Sequence, residues 1–258
     1  MRRHNARMCV VALAWNIHPR WRLVVAGNRD EAHARPAAAL SRWPDLRIRA
    51  GRDLQAGGTW LGLGRDARMA VVTNVRNGLP RPFIGPSRGD LPVAFLTGAQ
   101  AAAEYAAQVA AQAARYAPFN LVLADAHDCL YVGNHPGPAW RRLAPGVHAL
   151  SNGPLDADWP KVRRLRMALQ AWVAAGDDDP QPLWQALADE TPATDAELPD
   201  TGVGLALERR LSPCFIRGVR YGTRASTLLR VDAAGRGHIC ERRFGPGGVF
   251  LGETTLAD

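Results

Sequence analysis

The chain has 258 residues, 47% hydrophobic and 22% charged, an ordinary balance for a folded protein with a sizeable buried core. Its net charge of +8 comes almost wholly from arginine, with Lys161 the one lysine; the arginines are scattered without a basic stripe or interleaved aromatics, which suits an anionic small ligand better than a nucleic acid. No apolar run is long enough to span a membrane, and four separated cysteines (Cys9, Cys129, Cys214, Cys240) suggest neither a zinc site nor a disulfide framework, so a reducing cytoplasm is the expected compartment.

Residues 1–8 read as an N-terminal extension or removable leader, and residues 9–258 as a single domain. The extension is basic but lacks the apolar core and cleavage site of a secretory signal. Residues 8–15 form an apolar, strand-like run with Cys9 near its head. If translation starts at Met8, or the leader is removed, Cys9 becomes the first residue and carries its thiol and a free α-amine on adjacent carbons. A thiolate is the reactive nucleophile, and an α-amine titrating near pH ~8 can take the thiol proton. With the leader attached, Cys9 has only a peptide nitrogen and this mechanism is unavailable. The plainer reading of such a cysteine is a buried space-filler.

A polar turn around His18, Pro19 and Arg20 leads to a second strand over 23–26, closed by Gly27 and the tetrad Asn28-Arg29-Asp30-Glu31. The stretch 47–74 is dense in glycine and β-formers, with a strand over 57–64 and its partner over 69–73. Helices are expected over 90–97 and 101–116, the latter from its alanine content. A hairpin over 119–124 and 130–133 turns at Asp125-Ala126-His127-Asp128, and 147–150 is a further strand. Trp159-Pro160 opens a helix to about 175 with Val162, Leu165, Leu169, Trp172 and Val173 on one face. A short helix over 183–188 and a polar connection over 191–200 precede strands over 226–231, 238–243 and 249–252. Hairpin-length links between grouped strands and grouped helices argue for antiparallel sheets with helices layered on them, an α+β fold.

Four polar clusters interrupt the apolar strands: the tetrad, Thr73-Asn74-Val75-Arg76, Ser151-Asn152-Gly153 and Tyr221-Gly222-Thr223-Arg224. Any one asparagine can be a turn former, but repetition at several strand ends suggests a shared site. Acyl transfer needs neutral donors aimed at a developing oxyanion. It also needs a carboxylate to hold the amine and a cation near the thiolate, for which Asp30 with Arg29 or Arg224 are candidates. Adjacent strand residues face opposite ways, so Asn28 and Asp30 share a face. Either the tetrad is turned, or Arg29 stands outside the chemistry. Trp60, Trp140 and Trp159 read as core, Cys129, Cys214 and Cys240 as buried fillers, and the histidines, lacking ligand spacing, as surface or turn residues with no metal site.

Together with Arg35-Pro36, Ala50-Gly51-Arg52-Asp53, Gly57-Gly58-Thr59-Trp60-Leu61-Gly62, Ser87-Arg88-Gly89, Trp159-Pro160-Lys161 and Glu241-Arg242, these clusters resemble, in order, the NRDE family of transport and Golgi organization protein 2. The resemblance covers nearly the whole chain. Family members typically begin Met-Cys, which favours Met8 as the start. The resemblance implies an N-terminal-nucleophile hydrolase fold, a four-layer αββα sandwich of two antiparallel sheets between helix layers, similar in layout to choloylglycine hydrolases and penicillin V acylases. It implies a catalytic set of Cys9, Asp30, Asn74, Asn152 and Arg224, with Asn28, Arg29 and Glu31 at the substrate. The expected chemistry is acyl transfer or hydrolysis of an amide or thioester (acyl-CoA-like) through Cys9. The alternative is non-catalytic binding and trafficking of haem or acyl-CoA/lipid. No cofactor is required, haem entering as a ligand, and the expected partner is an anionic amphipathic small molecule, with no nucleic acid and no integral membrane contact. The sequence does not set the oligomeric state.

Overall fold

A computed structural model describes residues 8–79, 82–176 and 178–258, so of the leader expected at 1–8 all but Met8 lies outside the described residues. The chain opens with six strands: β1 (Met8–Trp15), β2 (Trp21–Ala32), β3 (Ala37–Trp43), β4 (Ile48–Asp53), β5 (Leu61–Leu63) and β6 (Met69–Asn74). Helices α1 (Asp90–Thr97) and α2 (Ala102–Ala111) follow, then β7 (Phe119–Ala124), β8 (Cys129–Gly133), β9 (Ala139–Arg142) and β10 (Gly146–Leu150). Helices α3 (Pro160–Ala175), α4 (Gln181–Leu187) and α5 (Leu205–Leu211) lead to β11 (Tyr221–Asp232), β12 (Gly237–Phe244) and β13 (Phe250–Ala257).

The strands form a six-stranded sheet, β10-β1-β2-β11-β12-β13, and a seven-stranded sheet, β3-β4-β5-β6-β7-β8-β9; every pairing in both is antiparallel. Period-two alternation divides the burial. Val11, Leu13 and Trp15 of β1 meet Leu61, Leu63 and Val71 of the other sheet, while Val10, Ala12 and Ala14 pack on Val162, Leu165 and Leu169 of α3. On the far side, α1 and α2 bury Leu91, Phe95, Tyr105 and Val109 against Leu121, Leu123 and Leu130. The layers are therefore αββα, as the sequence led us to expect. No helix among the described residues is long and apolar enough to cross a membrane.

Several local expectations are corrected. β2 runs through the whole tetrad to Ala32, because its carbonyls and amides there are taken by β1 and β11. The strand expected over 57–64 shrinks to Leu61–Leu63, since Gly58 packs backbone to backbone on Gly89. Trp140 lies on the edge strand β9, which pairs with β8 on one side of the sheet, and is 42% exposed. His18 is buried and stacks on Trp172. Cys240 is only half-buried. Asp178, expected in a loop that merely stops α3, holds Arg20 and the Trp21 indole.

Candidate active site

Strand pairing decides what faces Cys9. In the β1–β2 register Cys9 stands opposite Arg29 and Met8 opposite Asp30. Alternation turns Cys9, Arg29 and Glu31 toward the space between the sheets, which part at this end around a cavity of about 200 Å³. Cys9, Arg29, Asp30, Glu31, Asn74 and Arg224 all line it. Trp60, Phe244 and Leu251 add apolar walls, and Arg88, Arg243 and Glu241 add charge. The tetrad is not turned, and Arg29 lies on the same side as Cys9. Asn28 does not reach the cavity. Its amide nitrogen donates to the Leu187 and Cys214 carbonyls, and its oxygen accepts from Ser226 Oγ at 2.6 Å, so it ties β2 to α4 and β11 and leaves nothing for a substrate.

The backbone of Cys9 is held by the turn after β10. The Cys9 N–H donates to Asn152 Oδ1 at 3.0 Å, and Ser151 Oγ donates to the Cys9 carbonyl at 2.6 Å. Asn152 Nδ2 donates to the Asn74 carbonyl at 2.7 Å, joining this turn to the end of β6. Asn152 therefore grips the nitrogen of Cys9 where the sequence suggested an oxyanion donor; Asn74 is the asparagine whose residue lines the cavity. Asn120 braces the junction by donating to the Gly153 carbonyl at 2.9 Å, a role with no sequence signal beyond an asparagine in an apolar strand. Gly153 is required here, because an added Cβ would sit 2.5 Å from the Trp159 ring.

Behind the strand, Asp30 Oδ1 accepts from Thr223 Oγ1 at 2.7 Å, while Oδ2 is buried without a hydrogen-bond partner. Burial pushes the Asp30 carboxyl up to about 7, against the pull of Lys161, Thr223 and Arg29. Burial, and next the negative charge of Asp30, push the Cys9 thiol up to about 12, opposed by Arg29. Tyr221 accepts the Met8 N–H at 2.6 Å. Glu31 lies 3.6 Å from the Arg29 guanidinium and 3.8 Å from that of Arg35, which also pairs with Asp53 at 2.7 Å. Arg224 occupies the β-bulge between Thr223 and Ala225, which frees it from the ladder; its guanidinium donates to the Ala32 and Arg35 carbonyls. Lys161, Tyr221, Arg88 and Glu241 stand in the sequence motifs without an expected role, and each lies at or behind this site.

This ordered set of motifs matches the Transport and Golgi organisation 2 family over residues 8–246. The chain belongs to that family. It is 32% identical over 257 residues to the Transport and Golgi organization protein 2 homolog of Bos taurus, covering 91% of this chain and 92% of the relative. The homolog of Homo sapiens is 30% identical over 257 residues with the same coverage, and the Drosophila melanogaster protein is 25% identical over 270 residues, covering 91% of each. Among solved structures, the Caenorhabditis elegans ortholog of N-acylethanolamine-hydrolyzing acid amidase is similar with a TM-score of 0.51 at 10% identity, over 86% of this chain and 92% of that one. The family's fold in this chain is thus N-terminal-nucleophile hydrolase-like.

Proposed function

We propose that, with Cys9 as first residue, the protein transfers or hydrolyses the acyl group of an amide or thioester through the Cys9 thiol. The observation carrying this reading is that the Cys9 residue lines a cavity while its nitrogen sits in the grip of Asn152, behind which Asp30 keeps an unused oxygen. The α-amine takes the thiol proton, and the sulfur attacks the carbonyl carbon. The carbonyl electron pair moves to oxygen, where the Asn74 amide supplies a donor. The carbon–nitrogen or carbon–sulfur bond then breaks, the leaving group takes the proton back, and a thioester on Cys9 remains. Water or an amine accepts the acyl group and restores the thiol. Asp30 orients the amine; Arg29 and Arg224 supply positive charge. While the leader is attached, the nitrogen is an amide and the thiol, pushed up to about 12, stays protonated at neutral pH.

The structural relative is an ortholog of an N-acylethanolamine-hydrolyzing amidase, which puts amides first among substrates to try. A second reading is a carrier in the cytoplasm that binds haem or an acyl-CoA without turnover. Five arginines at the cavity (Arg29, Arg52, Arg88, Arg224, Arg243) beside Phe244 and Leu251 favour an anionic amphipathic ligand for either reading. Intact-mass analysis of protein from its native host reads the N-terminus. Chains starting at Cys9 and at Met1 are then incubated with N-acyl amides and acyl-CoA thioesters. We expect an acyl adduct on Cys9 and turnover only for the Cys9-started chain, both abolished by Cys9→Ala. Ligand binding by both chains with no adduct on either would instead establish the carrier.

A further inference from the structure

We propose that Lys161 is a positioning residue of this centre, a buried counter-charge that holds the Asp30 carboxylate beside the nitrogen of Cys9. This rests on the reading of Cys9 as an N-terminal nucleophile. Lys161 is the chain's one lysine, yet it is only 2% exposed, and its Nζ has no hydrogen-bond partner among the described residues. Its place is unfavourable for a cation twice over. It is the second residue of α3, where the helix dipole is positive, and it is buried where a lone charge is strongly disfavoured. A spare lysine would turn outward from such a position. Instead α3 is anchored so that Lys161 stays inside: Pro160 sets the first turn, Trp159 packs on Gly153 of the turn that grips Cys9, and the Lys161 carbonyl accepts from the Cys214 thiol at 3.5 Å.

The groups facing this cluster come from every neighbouring element. Asp30, with Arg29 and Glu31 next to it, belongs to β2; Cys9 to β1; Tyr221 to β11; Cys214 to the segment before β11. Arg76, beyond β6, is a second cation next to Lys161, but its charge is taken by Glu208 of α5 at 2.6 Å. That leaves Lys161 Nζ and Asp30 Oδ2 as two buried groups of opposite charge, each without a hydrogen bond, and each costly alone. Burial lowers the Lys161 ammonium, and the charge of Asp30 is the largest influence raising it back. When Cys9 carries a free amine, Asp30 Oδ2 is a ready acceptor for it. The Lys161 charge then disfavours protonation of that amine, which keeps it a base toward the thiol.

The test follows alkylation of Cys9 by iodoacetamide against pH, with the modified peptide located by mass so that the other cysteines are separated. It uses the Cys9-started and full-length chains, each as wild type, Lys161→Arg and Lys161→Met. We expect Lys161→Met to move the reactivity midpoint of the Cys9-started chain up by about one pH unit or more, and Lys161→Arg to keep it near the wild type. An unchanged midpoint in a folded Lys161→Met chain overturns the role of Lys161. Equal alkylation of the wild-type Cys9-started and full-length chains at neutral pH instead overturns the nucleophile reading, while the Lys161→Met shift in the full-length chain still reports on Lys161. If Lys161→Met fails to fold, melting of Lys161→Gln, Asp30→Asn and their double variant decides: strong non-additivity supports the pair, and additive losses overturn it.

Discussion

A thiol that burial holds protonated is a poor nucleophile unless a base stands beside it, and burial pushes the Cys9 thiol up to about 12. The same burial acts on Asp30, with a consequence for stability. Its folded value, about 7, lies above the unfolded value of 3.8, so folding binds a proton between those limits. Its stabilising contribution is complete below about pH 4 and is lost as pH rises through 7. Asp30→Asn removes that dependence. Relative to wild type the variant should gain on the order of a few kcal/mol between about pH 4.5 and 8, read by denaturant unfolding at both values. A difference that does not change with pH would show that the carboxyl keeps its ordinary value in the fold.

At the scale of elements, the site depends on where backbones can touch. Gly58, before β5, and Gly89, before α1, press together, and the Thr59 N–H donates to the Gly89 carbonyl at 3.3 Å. Both glycines line the cavity. A Cβ on Gly58 would lie 2.5 Å from the Gly89 carbonyl carbon, which is backbone and cannot swing aside. Gly58→Ala should therefore cost about 1–3 kcal/mol and weaken ligand binding by displacing Ser87 and Arg88. Thermal melting and ligand titration of the variant check this; wild-type values in both would mean that the segment moves freely. The two motifs holding these glycines stand far apart in sequence, and only their packing explains why both are glycine-rich.

Over the whole molecule, the central layer belongs to both sheets. Leu13 and Val25 from one meet Leu61 and Val71 from the other, and Thr73 Oγ1 donates to the Ser151 carbonyl at 2.7 Å across the open end. Neither sheet keeps that face covered alone. We expect tryptophan fluorescence and far-ultraviolet circular dichroism to report one coincident unfolding transition across residues 9–258. Two separated transitions would mean that the sheets are independent units, and that the cavity is an interface between them.

Much of this was legible in the chain. The apolar stripe of α3 and the grouped strands with short links are local patterns that point to antiparallel sheets with helices layered on them, while the αββα order is what the resemblance carried by the ordered polar clusters implies. Strand alternation placed Asn28 and Asp30 on one face and Arg29 on the other. Which face Cys9 shares depends on register, and register is set by pairing between strands; Cys9 opposite Arg29 is a tertiary fact. The same dependence separates the two polar residues of that face. Asn28 meets the carbonyls beside α4 and is spent on them, while Asp30, two residues nearer the strand end, keeps a buried oxygen without a hydrogen-bond partner. Lys161 shows the limit most clearly. Its type and its place after Trp159-Pro160 are in the sequence, but its partnership with Asp30, 131 positions away in the numbering, arises only when α3 lies across β1. A charge is read from sequence as solvated by default, and only burial among other elements turns it into a constraint on the chemistry beside it.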